Sequence, residues 1–446
     1  MDLFKNMPQP TAPEAEVEAR MAAESAYTVI DAEVTDRRTD KALFASSPVA
    51  GSSAIYARDG GTLYLEDAEI HGYGEMTAED LRNELGSKYG FCAAVLANQK
   101  PSHVTLVNPK IVCHETSTAN GAYAIFNGAI VIEGGTIDTC NRQGHGVDAS
   151  YGGHVYCDGT RIHTGGMNSG ALATDFQGGY ITVRNIEAVT EIPGSPGIYT
   201  AGKSVITAYD SSFVSKGCEG VMVAHSLGHT YLYNCSVTGT VALNTHNSMS
   251  EEYSYIHAFG GTLASTSGSI LMAEDGKAIM NLTGVSFAAP ADGNIAYAKA
   301  GGKLVANLKD MQVAGNIDRA PESYLAVSLK NSAMTGSANA SALSLDQTSV
   351  WNVTGNSRIA KLSLAEGALV SATVPVTVTY GSLEGSLPAA ANVTFVQDPA
   401  CVDDYKAKMM MPPPGEGPGG PGMPGGPGPM PGGPGGPGMP GGPGPM

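Results

Sequence analysis

The chain has 446 residues, 42% of them apolar and only 15% charged, with 58 glycines and a formal charge of −17. That profile excludes a helical bundle, and the charge argues against nucleic acid and anionic membrane surfaces as partners. No apolar run is long enough to span a bilayer.

The opening residues, MDLFKNMPQPTAPEAEVEARMAAES, contain no apolar stretch of the kind a secretory signal needs. This predicts a cytoplasmic protein, with the cell surface as the alternative. Residues 14–25 read as a short helix, so 1–50 form a cap and lead-in. From 51 to 290 the chain repeats a unit of roughly 20 to 28 residues built from short strands and Gly-rich turns. Examples are HGVDASYGGHVYCDGTRIHTGG from 145, SGALATDFQGGYITVRNIEAVTE from 169, PGIYTAGKSVITAYDSSFVSKG from 196 and EGVMVAHSLGHTYLYNCSVTG from 219. Such a unit cannot bury its inner face alone, but units stacked about 4.8 Å apart share one core. The predicted fold is all-β, a right-handed parallel β-helix.

Within it, EMTAEDLRNELGSKYG (75–90) pairs Thr77 with Asp80 as a capping box and places Gly86 as a helix stop. This predicts an inserted helix, a candidate lid. Residues 291–400 continue in strands with looser spacing and few ionisable groups, and read as closing coils. Residues 401–446 are a Gly-Pro-Met tail with glycine at every third place from Gly419, interrupted at Pro431. A disordered or polyproline-II tail is expected, with collagen-like trimerisation as the alternative. Met409, Met410 and Met411 are soft thioethers suited to cuprous copper.

Seven cysteines, an odd count without zinc-finger spacing, predict free thiols rather than a disulfide framework. Cys140, Cys157 and Cys235 alternate with apolar neighbours as small core residues, and Cys218 reads as the most exposed thiol.

The segments GFCAAVLANQ, ANGAYAIFNG, GVDASYGG, SGALATD, GSPGIYTAG, CEGVMVAH and NSMSEE resemble a bacterial family of adhesin-like β-strand-repeat proteins. The resemblance covers roughly 51–290 and implies a right-handed parallel β-helix. It implies little about chemistry, and relatives of this kind look secreted or surface-bound. This chain differs in lacking an export signal, in carrying histidines inside the repeats, and in reading ATDFQGG where an Arg-Gly-Gly run is usual.

All ten histidines lie between His71 and His257. Counting five residues on from Gly146, Gly170, Gly197 and Gly220 puts Tyr151, Asp175, Gly202 and His225 in one row. His246 falls next on the following coil, and His229 folds back past the turn Ser226-Leu227-Gly228. Asp175 and an imidazole would then wall a notch left by Gly202. Two chemistries suit it: copper or zinc held by His225, His229 and His246, or metal-free acid–base work by Asp175 and His225 with Tyr151 or Tyr199 donating a proton. The substrate class would be a small polar, phenolic or carbohydrate molecule. The reading favours an enzyme, performing isomerisation, hydrolysis or redox chemistry, over a non-catalytic adhesin-like scaffold.

Other rows carry less. Glu69, Lys110, Thr136, Arg161 and Glu187 form a solvent-facing ladder. His71, Asp138 and His163 share a row with intervening coils, and His145, Ser169, Pro196 and Glu219 share a turn position. Tyrosines 151, 156, 180, 199, 209, 231 and 233 lie on the same coils as the histidines, as platforms for a sugar or phenol ring or as ordinary strand stacking.

Overall fold

The computed structural model describes 27–30, 33–37 and 44–47 as strands and, in more detail, 52–73, 85–114, 119–225, 227–246 and 252–402. The helix expected at 14–25, the capping box at Thr77 and Asp80, and the tail from 403 lie outside the described residues.

Strands repeat in the order first, second, third sheet, and every pairing between successive coils is parallel. The result is the expected right-handed parallel β-helix. Its sheets, here A, B and C, hold 12, 16 and 10 strands. Rungs are 22 residues apart from Val221 to Leu243 and 28 from Leu243 to Leu271.

Two local rules build each coil. Strand positions alternate, so Leu65, Leu106, Ile132, Cys157, Val183, Ala208, Leu232 and Ala258 stack in the core while their neighbours face out. After most sheet-B strands the chain turns through one or two residues of positive φ, the conformation that Asn, Asp and Gly tolerate best, beginning at Asp67, Asn108, Gly134, Gly159, Asn185, Asp210 and Asn234. These stack on one another, and Asn amides donate to the Asp carboxylate one coil back, as in Asn108 to Asp67 (2.7 Å) and Asn234 to Asp210 (2.8 Å).

Sheet C bears out the expected ladder, since Glu69, Lys110, Thr136, Arg161 and Glu187 are successive partners. Lys110 meets Glu69 at 2.7 Å and Arg161 meets Glu187 at 3.2 Å. In the next row, Asp138 and His163 are direct neighbours, paired at 2.9 Å, rather than separated by a coil.

The closing coils are shorter, not looser. Sheet C ends at 287 and sheet A at 319; from there sheet B and a 4-stranded sheet carry on alone. Rungs now lie 16 residues apart (Ala326 to Ala342) and then 19 (Ala342 to Lys361). Trp351 is fully buried here, its indole N–H donating to Gly336 O at 2.9 Å.

Of the expected insertion, the described part is one short helix, α1 (Leu85–Tyr89). Gly86 lies inside it; the chain leaves the helix at Gly90, whose φ is +68°. A Cβ there would stand 2.5 Å from a ring carbon of Tyr123 and 2.7 Å from Leu96. Gly90→Ala is therefore expected to cost about 1–3 kcal/mol, from positive φ and overlap together, read as a lower denaturation midpoint.

Among the cysteines, all seven are free; Cys157 and Cys235 are buried as expected. Cys140 is exposed, and Cys218 is 6% exposed with its thiol donating to Glu219 at 2.7 Å. The two roles are exchanged relative to expectation.

Candidate functional site

Coil register decides which side chains meet. Val147 pairs with Leu172, so Gly146 is level with Ala171, and Gly170 is one residue out of step with the glycines above and below it. The row that begins with Tyr151 therefore continues through Phe176, Gly202 and His225. Tyr151 N–H donates to Phe176 O at 2.9 Å, and the Phe126, Tyr151 and Phe176 rings stack at 4.7 and 6.1 Å. Asp175 belongs to the preceding row, with Ala201, Ala224 and His246. Three coils, about 14 Å of backbone, separate Asp175 from His246. The same slip moves His145 level with Gly170, whose N–H donates to His145 Nδ1 at 2.9 Å, rather than with Ser169.

The three candidate metal ligands divide between two sheets. His225 and His246 are neighbours at the end of sheet A, joined by a 3.4 Å bond from His225 N–H to His246 O. His246 Nδ1 reaches Asp275 at 3.2 Å, and burial, then the His246 charge, lowers the His225 pKa. His229 begins a sheet-B strand and stacks on Tyr255 at 4.6 Å. The structure therefore brings His225 and His246 together and places His229 on the neighbouring sheet. Among the described residues no group of three His, Cys, Asp or Glu is placed to hold a metal.

Two other groupings emerge. The first lies on the outer face of sheet A. Alternation turns Val147 and Ala149 into the core and Asp148 outward, between Tyr123 and Ala173. This face is nevertheless covered: Tyr56, Leu96, Tyr123 and Asp148 are 0% exposed. Gly90, just past α1, lies against Tyr123, and Lys88 Nζ is 6.0 Å from the Phe176 ring. Among the described residues, neither carboxyl oxygen of Asp148 has a hydrogen-bond partner. Burial, and then the charge of Asp175, holds the Asp148 pKa well above the usual carboxylate range. Tyr199, two coils on, has its phenol pushed up by burial, Asp175 and Asp148. The His145 ring is nearly parallel to that of Tyr199 at 6.5 Å, and burial lowers its pKa to about 4. The structure thus brings Asp175 and Tyr199 near Asp148, without the histidines 225, 229 and 246. Asp148 was legible only as an acid inside the otherwise small and apolar strand Val147–Ser150.

The second grouping is the outer face of sheet B. Three rows of outward positions run along the axis. They read His154, Tyr180, Val205, His229, Tyr255; then Tyr156, Thr182, Thr207, Tyr231, His257; then Asp158, Arg184, Tyr209, Tyr233, Phe259. Rings on adjacent coils stack: His154–Tyr180 at 4.9 Å, Tyr231–His257 at 4.7 Å, Tyr209–Tyr233 at 4.8 Å and Tyr233–Phe259 at 5.0 Å. Interplanar angles in these pairs stay at or below 11°. Because rings stack along the solenoid axis, their faces meet one another and their edges meet solvent. Of the two roles expected for the tyrosines, strand stacking is what these rings show, and open ring faces occur only where a ladder is interrupted. Burial lowers the His229 pKa and takes His257 to about 4, and burial raises the phenols of Tyr231, Tyr233 and Tyr255. At neutral pH these rings are uncharged.

No protein-family model and no curated protein sequence matches this chain. Among the described residues no helix is long and apolar enough to cross a membrane.

Proposed function

We propose that the protein is a ligand-binding solenoid, adhesin-like in its display of an aromatic face, and that sheet B rather than a histidine and Asp175 site carries its function. The supporting observation is the block of parallel rings on that face, with Tyr180 46% and Phe259 38% exposed. Buried stacking alone does not call for large aromatic groups left open to water, and such surfaces mark interaction sites. The rigid, repeating backbone holds ring spacing at the coil period, which suits an extended ligand with its own repeat. Incubating the full chain with a panel of polysaccharides tests this: the expected result is co-sedimentation with at least one of them, recovered at unchanged length. Release of shortened or unsaturated products, or no retention by any of them, would contradict it.

A second reading, an enzyme on sheet A, is favoured by the fully buried acid Asp148 beside Asp175. A carboxyl whose pKa is raised by burial, beside a second carboxyl, suits general acid–base chemistry. If product release is found, Asp148→Asn abolishing it with binding intact would support this reading.

A further inference from the structure

We infer that sheet B contains a slot for a single pyranose ring, centred on Val205; this rests on the ligand-binding reading above and names its ligand class. In the row His154, Tyr180, Val205, His229, Tyr255, the valine interrupts an otherwise aromatic ladder. Tyr180 has one face against His154 at 4.9 Å, and His229 has one face against Tyr255 at 4.6 Å. The remaining face of each looks across Val205, whose side chain stops at its methyl groups while the rings continue outward.

The width selects the occupant. Two coils separate the facing rings, about 9.5 Å. A flat ring in contact with both walls at about 3.5–4 Å needs only roughly 7–8 Å. A chair-shaped sugar, thickened by its puckered atoms and axial hydrogens, takes up the difference, with its C–H groups on the uncharged ring faces. The adjoining row supplies polar groups at the same level. Thr182 and Thr207 are partly exposed there, and beyond them Arg184, its guanidinium 4.2 Å from the Tyr209 ring centre, is an exposed donor for ring hydroxyls. His229 and Tyr231, whose ring centres are 6.1 Å apart and 9° from parallel, make the upper wall two rings wide.

The test is calorimetric titration of the full chain with soluble cello-, xylo-, manno- and chito-oligosaccharides, and separately with ferulate as a flat aromatic probe. Val205→Tyr fills the slot with a residue the same row already accepts at 180 and 255, so folding is retained; Val205→Ala leaves it open. The expected result is oligosaccharide binding weakened at least tenfold by Val205→Tyr and within about twofold of wild type for Val205→Ala. Undiminished binding by Val205→Tyr, with loss in Tyr233→Ala, would overturn the slot while leaving sheet B as the binding face. Loss in none of the sheet-B variants would overturn both. Ferulate binding that Val205→Tyr abolishes, with no oligosaccharide bound, would overturn the pyranose assignment.

Discussion

Asp148→Ala is expected to stabilise the protein at pH 7 by about 1–3 kcal/mol, the typical cost of leaving a buried polar group unsatisfied. Ala173 already occupies the equivalent position one coil on, so the row accepts a methyl group. The pH dependence has a definite sign. The folded-state pKa of Asp148 is raised, so its favourable contribution is complete below the unfolded carboxylate pKa and declines as pH rises towards the folded value. The variant should lose that decline. Urea midpoints of both proteins at pH 5 and pH 7 give the answer: the gap should widen at pH 7. A lower midpoint for the variant at both would mean that Asp148 has a stabilising partner. A stabilising loss of this kind is also what a residue retained for function produces, so it bears on the enzyme reading.

The second large effect is acid destabilisation above the carboxylate range. His103, His114, His145, His154, His225, His229 and His257 all have lowered pKa values, with burial the largest cause in each. Such groups contribute stability that is complete above the unfolded histidine pKa and lost as pH falls towards the folded one. For His145 and His257 the window runs from 6.5 down to about 4. Each should remove on the order of 2 kcal/mol across it, allowing for screening at these partly exposed sites. Asp148 acts in the opposite direction but is a single group. Melting temperature should therefore fall steadily from pH 7 to pH 4.5, and less steeply in His257→Phe, which keeps an aromatic ring below Asn281. A flat profile would show that the imidazoles are solvated.

Much of the fold is legible in the sequence because one coil repeats the physics of the next. The positive-φ Asn, Asp and Gly residues after sheet-B strands and the alternating apolar positions make the period visible, and the Glu69-to-Glu187 ladder follows from it residue by residue. The row expected to hold Asp175 departs from the observed register at a single place. Gly170 imitates the turn glycines Gly146 and Gly197, while Ala171 takes their position, and a slip of one residue exchanges Phe176 for Asp175 beside Tyr151. Period-two strands punish such a slip by moving each side chain to the other row. Ring clustering was readable, but ring orientation was not: it follows from parallel in-register stacking, which turns neighbouring aromatic groups face to face. Asp148 escaped because a lone acid in a strand looks like a solvated position, whereas here it is fully buried.

Function on sheet B rather than sheet A is tested most directly by polysaccharide co-sedimentation of three proteins side by side: wild type, Tyr231→Ala and Asp148→Ala. Retention lost in Tyr231→Ala and kept in Asp148→Ala is the predicted result. Retention kept in Tyr231→Ala and lost in a folded Asp148→Ala would contradict the account and place the ligand on sheet A.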